Sequence, residues 1–161
     1  MSNINNREIE RKFRVVGDSY KSSATSCARI TQGYLSVSER ATVRVRRYGE
    51  QAFITVKGRP EAGHFGRFEW EKPIAPEEAE ALFPLCMPGI IDKTRWLVPM
   101  PDGLVCEVDE FHGANEGLVL AEIELPSEDR PYTPLPFLGE EVTSDPRFYN
   151  SFLARCPYTT W

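Results

Sequence analysis

The chain has 161 residues, 41% of them apolar and 27% charged, which suits one domain spanning 1–161 with a sizeable core. No apolar run is long enough to span a bilayer as a helix, and the first six residues lack the apolar stretch of a signal peptide, so a cytoplasmic protein with no membrane partner is expected. The formal net charge of −5 is the wrong overall field for gripping a phosphate backbone; nucleic acid is excluded as the expected partner, and any anionic substrate must be held by a local cluster of cations.

Most of the chain alternates with a period of two, the mark of strands with one polar and one apolar face. The first predicted strand, 8–15, sets Glu8, Glu10 and Lys12 against Ile9, Phe13 and Val15. A weak helical pattern at 18–26 and a strand at 30–37 follow. The strand at 42–48 sets Arg44 and Arg46 against Val43 and Val45, and the next, 52–57, sets Lys57 opposite Ile54 and Val56. Turn residues Gly58-Arg59-Pro60 and a glycine-containing turn around His64 lead to a strand at 65–74, with Glu69 and Glu71 opposite Phe68 and Trp70.

Pro76 opens a helix over 76–83, with acids in its first turn. Three further strands follow, at 91–98, 104–111 and 118–125. Their charged faces carry Lys93 and Arg95, then Glu107 and Asp109, then Glu122 and Glu124. A last helix is expected after Asp145-Pro146, through 148–154. A strand with Glu-x-Glu, a helix and three strands occurs from Glu8 and again from Glu69, which hints at a duplicated βαβββ unit. The four cysteines are far apart and form no C-x-x-C pair; reduced thiols are expected rather than a zinc site or a disulfide framework.

An antiparallel sheet often has one wet, charged face, so no single strand here is informative. The set is. Like charges recur two apart, whereas a face selected only for solubility mixes signs. Closing the strands into a barrel removes free edges and gives the charged faces a common lumen. That lumen gathers the cations Lys12, Arg44, Arg46, Lys57, Lys93 and Arg95, which suit a polyphosphate. It also gathers the carboxylates Glu8, Glu10, Glu69, Glu71, Glu107, Asp109, Glu122 and Glu124, which would repel one unless a hard divalent cation such as Mg²⁺ or Mn²⁺ stood between.

The motifs Glu8-Ile9-Glu10-Arg11-Lys12, Gln32-Gly33-Tyr34-Leu35, Val43-Arg44-Val45-Arg46, Phe68-Glu69-Trp70-Glu71, Lys93-Thr94-Arg95 and Ala121-Glu122-Ile123-Glu124 together resemble the CYTH superfamily of triphosphate tunnel metalloenzymes, in particular its short bacterial members. The resemblance spans about 8–154. It implies an α+β, mostly β fold: an eight-stranded antiparallel tunnel with a few helices outside. It implies that Lys12, Arg44, Arg46, Lys57, Lys93 and Arg95 hold the triphosphate. Glu8, Glu10, Glu122 and Glu124, then Asp109, are the implied ligands of one or two Mg²⁺ or Mn²⁺ ions. Glu69, Glu71 and Glu107 are implied to serve a second metal or to orient the cations, and Lys93 to orient or activate the attacking water. Phe148 and Ser151 depart from the tail of the short members, where Tyr and Lys are expected. His64 and His112 fall outside the pattern. The expected activity is hydrolysis of inorganic tripolyphosphate or a nucleoside triphosphate. A class IV-type adenylate cyclase and a non-catalytic polyphosphate or nucleotide binder are the alternatives. The oligomeric state stays open.

Overall fold

The computed structural model describes residues 7–60, 62–63 and 66–161. Residues 1–6, read above for a leader, and His64 and Phe65 in the turn before the fifth strand lie outside the described residues. Eight strands form the wall: β1 (Arg7–Val15), β2 (Ser26–Val37), β3 (Ala41–Tyr48), β4 (Gln51–Gly58), β5 (Gly66–Ile74), β6 (Ile91–Pro99), β7 (Val105–Phe111) and β8 (Val119–Glu124). They pair in the order β5-β4-β3-β2-β6-β7-β8-β1, and β1 meets β5 to close the barrel; every pairing is antiparallel.

At the closing seam, among the described residues, Arg7, Glu8 and Ile9 pair with Phe68, Arg67 and Gly66. The Arg7 guanidinium lies over Gly66, in the space a Cβ there would take. Further along, the edge of β1 not taken by β8 receives a ninth strand, β9 (Leu138–Glu141), opposite Phe13 and Val15. This strand is not among those expected from alternation: it is four residues long and carries no apolar period.

Two helices lie outside the wall, α1 (Tyr20–Ser23) and α2 (Pro76–Leu82), and a third, α3 (Asn150–Arg155), packs at one end of the barrel. Strand–helix–three strands occurs twice in the chain order, as β1-α1-β2-β3-β4 and β5-α2-β6-β7-β8. Two helix boundaries differ from expectation. The pattern at 18–26 stops early, because Ala24 is extended and the Thr25 amide already bonds to Leu97 in β6, at 2.9 Å. The last helix is split into a 3₁₀ turn, Pro146–Phe148, and α3, because Tyr149 between them is extended.

The apolar residues make three cores. On the outer face of β1, β6, β7 and β8, Ile9, Phe13, Val98, Cys106, Val108, Ala121 and Ile123 pack under Tyr20 of α1 and Phe137 of the 126–137 segment. On the outer face of β3 and β4, Val45 and Ala52 pack under Ala79 of α2. The third core is inside. Ile91, Phe111 and Leu120 share the inward parity of Lys93, Asp109 and Glu122, and they pack against Val142, Phe148 and Leu153. The C-terminal segment therefore fills part of one end of the barrel with an apolar plug. Not all of the outer face is covered: Phe68 and Trp70 of β5 are 52% and 42% exposed.

Tyr20 locks α1 to the wall. It is buried, stacks edge-on against Trp96 and Phe137, and its hydroxyl donates to Glu110, which also pairs with Lys21 at 2.8 Å. Burial alone would raise the Glu110 carboxyl, but the Lys21 ammonium and the Tyr20 hydroxyl outweigh it and hold it below the usual range. A depressed carboxyl contributes stability above its unfolded value of about 4.3 and loses that contribution as pH falls through the folded value. Tyr20→Phe should cost about 1.5 kcal/mol at pH 7, read from urea midpoints, and its deficit relative to wild type should shrink below about pH 4. A deficit independent of pH would mean that ring packing alone is at stake.

Candidate active site

Inward-facing side chains of all eight strands surround a central cavity of about 200 Å³. Alternation puts them there: Glu8, Glu10 and Lys12 from β1, Tyr34 from β2, Thr42, Arg44 and Arg46 from β3, Lys57 from β4, Lys93 and Arg95 from β6. Glu69 and Glu71 come from β5, Glu107 from β7, Glu122 and Glu124 from β8. Every residue proposed from the sequence as a triphosphate ligand lines this one cavity, and so does every proposed carboxylate except Asp109.

Asp109 is on the inward face of β7 but covered, 1% exposed. Its Oδ1 accepts from Arg95 Nε at 2.8 Å, and its Oδ2 from Arg95 Nη2 at 2.8 Å and Lys93 Nζ at 2.6 Å. Both oxygens are thus spent on orienting two cations. The sequence pattern could not separate it from Glu107, which shares its face and does line the cavity.

Alternation should have found a seventh cation, Arg67, two residues before Glu69 on the same face. Its Nε donates to Glu8 at 3.0 Å, and its Nη2 lies 3.6 Å from Glu10. Tyr149, Asn150 and Ser151 also reach the cavity, carried there by the C-terminal plug. No strand pattern announces them, because their arrival depends on tertiary packing. His112 lies elsewhere, with Nε2 2.8 Å from Thr94 Oγ1 on the outward parity of β6.

The charges form three linked sets. In the first, Arg95 grips Asp109, reaches Glu122 at 3.2 Å and bonds to Glu107; Lys12 meets Glu122 at 3.0 Å and Glu10 at 3.8 Å. In the second, Lys57 donates to both oxygens of Glu8, at 2.6 and 2.8 Å, and lies 2.8 Å from Glu69. In the third, Glu71 accepts from Thr55 at 2.8 Å and pairs with Arg46 at 3.2 Å and Arg44 at 3.5 Å.

Titration behaviour follows the pairing. Burial pulls Lys12 down, but Glu122 and Glu10 overcome it and hold the ammonium above its usual value. Burial wins at Lys93, which is pushed down to about 8 despite Asp109, with Arg95 adding repulsion. Arg46 is lowered to about 10 by burial and by Arg44 beside it. Glu124 goes the other way: burial and the neighbouring Glu8, Glu107 and Glu69 carboxylates raise it. Among the described residues Glu124 has no ion-pair partner, and the buried Nε atoms of Arg44 and Arg46 have no acceptor.

These are two unmet needs of opposite sign. An under-neutralised carboxylate beside three others calls for a cation, and the all-oxygen donor set suits a hard divalent one. Two adjacent guanidiniums with spare donors call for an oxyanion. Among the described residues no three carboxylates already converge as a metal cage, since Glu8, Glu10 and Glu122 are each drawn toward a lysine or arginine.

A CYTH domain profile matches residues 6–149. An inorganic triphosphatase of Acetivibrio thermocellus is 43% identical over 152 residues, 94% of this chain and 96% of that one. An inorganic triphosphatase of Nitrosomonas europaea is 36% identical over 150 residues, 91% of this chain and 96% of that one. The crystal structure of the inorganic triphosphatase NE1496 superposes with a TM-score of 0.64 at 35% identity, covering 91% of this chain and 93% of that one. The chain belongs to the CYTH domain family.

Asp109→Asn keeps the shape of the side chain but leaves Lys93 and Arg95 short of a buried counter-charge. Breaking such a pair costs about 3–5 kcal/mol, so the variant should unfold at a markedly lower urea concentration. A midpoint equal to wild type would show that Asp109 bears no such load.

Proposed function

We propose that this CYTH-family chain is a divalent-metal-dependent triphosphatase, with inorganic tripolyphosphate as its first substrate and nucleoside triphosphates as possible further ones. The observation that carries the reading is the cavity itself: seven cations and seven carboxylates line about 200 Å³, and among the described residues the Arg44 and Arg46 Nε donors have no acceptor and Glu124, raised by burial and its carboxylate neighbours, has no ion-pair partner. The hydrolase names of the two relatives support it over the cyclase alternative.

Lys12, Arg44, Arg46, Lys57, Lys93 and Arg95 bind the phosphate chain. Arg44 and Arg46 offer forked donors from adjacent inward positions of β3, and Lys12 and Arg95 are held rigid by Glu122. Glu8, Glu10, Glu122 and Glu124 would hold Mg²⁺ or Mn²⁺, with Glu69, Glu71 and Glu107 steering the cations or serving a second ion. A divalent ion there would neutralise phosphate oxygens and make the attacked phosphorus more electrophilic. Lys93 already donates hydrogen bonds to Asp109 and to Asn150 Oδ1, the latter at 3.3 Å. Its remaining donor orients the attacking water or a phosphate oxygen. Water forms the new bond to the terminal phosphorus, the bridging P–O bond breaks with its electron pair staying on the departing pyrophosphate or nucleoside diphosphate, and the proton water loses is taken up by the phosphate products.

The test is incubation with tripolyphosphate, ATP and GTP, with EDTA or with Mg²⁺ or Mn²⁺. Activity should vanish in chelator and return with metal, and the products should be orthophosphate with pyrophosphate or nucleoside diphosphate. Arg46→Ala should lower kcat/KM for tripolyphosphate about ten- to a hundredfold, the worth of one charge-assisted contact. Cyclic AMP as the product, or full turnover in EDTA, would overturn the reading.

A further inference from the structure

We propose that Arg67 is a latch: it holds Glu8 and Glu10 while no metal is bound, and turns to a substrate phosphate when a divalent cation takes those carboxylates. The inference rests on the reading above that Glu8 and Glu10 take part in metal binding.

The seam geometry places Arg67 for this. Glu8 and Arg67 are direct cross-strand partners in the ladder that closes the barrel. Glu10 is the next inward position of β1, so a single guanidinium spans both carboxylates, at 3.0 and 3.6 Å. A cation bridging the same two carboxylates must occupy the space between them, where the guanidinium lies. Two positive groups cannot share that space at low cost, so metal binding expels Arg67 from it.

The displaced side chain is only 23% exposed, and a guanidinium there without an anion is costly. Glu124, the partner of Glu10 on β8, would be drawn to the same cation, and the other carboxylates near the seam are taken: Lys57 holds Glu69, and Glu71 holds Arg44 and Arg46. The anion that arrives with the metal is the triphosphate, whose oxygens suit the planar fork of arginine. Room for the turn exists. Arg67 lines both the central cavity and an adjoining recess of about 330 Å³, formed with Pro60, Gly63, Thr143, Ser144 and Tyr149.

A latch makes an unusual prediction: its removal shifts metal and substrate affinity in opposite directions. A purely structural residue would weaken both, and a plain phosphate ligand would weaken only the substrate's. Mn²⁺ binding without substrate is measured by titration calorimetry, and KM and kcat for tripolyphosphate at saturating Mn²⁺. In Arg67→Gln, Mn²⁺ should bind about three- to tenfold more tightly, while KM rises about tenfold and kcat changes less. Arg67→Lys, which reaches one carboxylate at a time, should fall between wild type and Gln in both. Mn²⁺ affinity equal to or weaker than wild type, or an unchanged KM, overturns the latch. Where Arg67→Gln does not fold, the same criteria apply to Arg67→Lys. Failure of the wild type to bind Mn²⁺ and hydrolyse tripolyphosphate would instead sink the proposed function, so the two failures are distinct.

Discussion

The barrel depends on one constraint: charges placed inside it must neutralise one another. A lone buried ion is among the most expensive groups a protein can hold, and pairing repays the cost only with good geometry and further hydrogen bonds. Lys93, Arg95 and Asp109 are between 1% and 6% exposed, and they meet that demand with bonds of 2.6 to 2.8 Å. This triad is the fixed part of the lumen. Lys12 and Glu122 attach to it through Arg95, and the more open residues of β3, β4 and β5 are arranged opposite.

An inward polar face forces the apolar residues outward, which inverts the usual small barrel. Separate helices and the 126–137 segment then have to cover the outside, and the hydrophobic core is divided into patches rather than gathered in one place. The inverted pattern breaks down at one end, where Ile91, Phe111 and Leu120 face inward and accept the C-terminal plug. That breakdown has a functional consequence. The plug brings Tyr149, Asn150 and Ser151 to the cavity, so the residues completing the site lie far in sequence from the strands that built it.

How much of this was legible depended on whether a feature follows from local period or from tertiary arrival. All eight wall strands could be read from alternation, because a two-residue period survives any barrel geometry. The inward faces of Glu8, Arg44, Lys93 and Glu122 followed directly. Arg67 obeys the same rule but precedes, rather than joins, the Glu-x-Glu pair, so the recurrence of like charges does not mark it. The ninth strand and Tyr149 were not legible, since neither has a periodic signal. Asp109 marks a subtler limit. It shares parity with Glu107, yet it is covered while Glu107 lines the cavity, because Arg95 and Lys93 close around Asp109 from the next strand. Parity assigns a face; only the pairing network assigns a role.

The same network argues that metal and anion binding are coupled. In the free protein the seven lumen cations and seven lining carboxylates, with Asp109 behind them, come close to cancelling. Adding a triphosphate alone would leave several uncompensated negative charges in a narrow, low-dielectric space, and adding divalent cations alone would leave the arginines and lysines competing for the same carboxylates. Together the two additions cancel. Each ligand therefore lowers the cost of the other, and that mutual effect is a coupling free energy of the kind linkage requires to be reciprocal. The balance of buried charge that holds the empty barrel together thus also selects what fills it: an anion and a cation arriving as a neutralising pair.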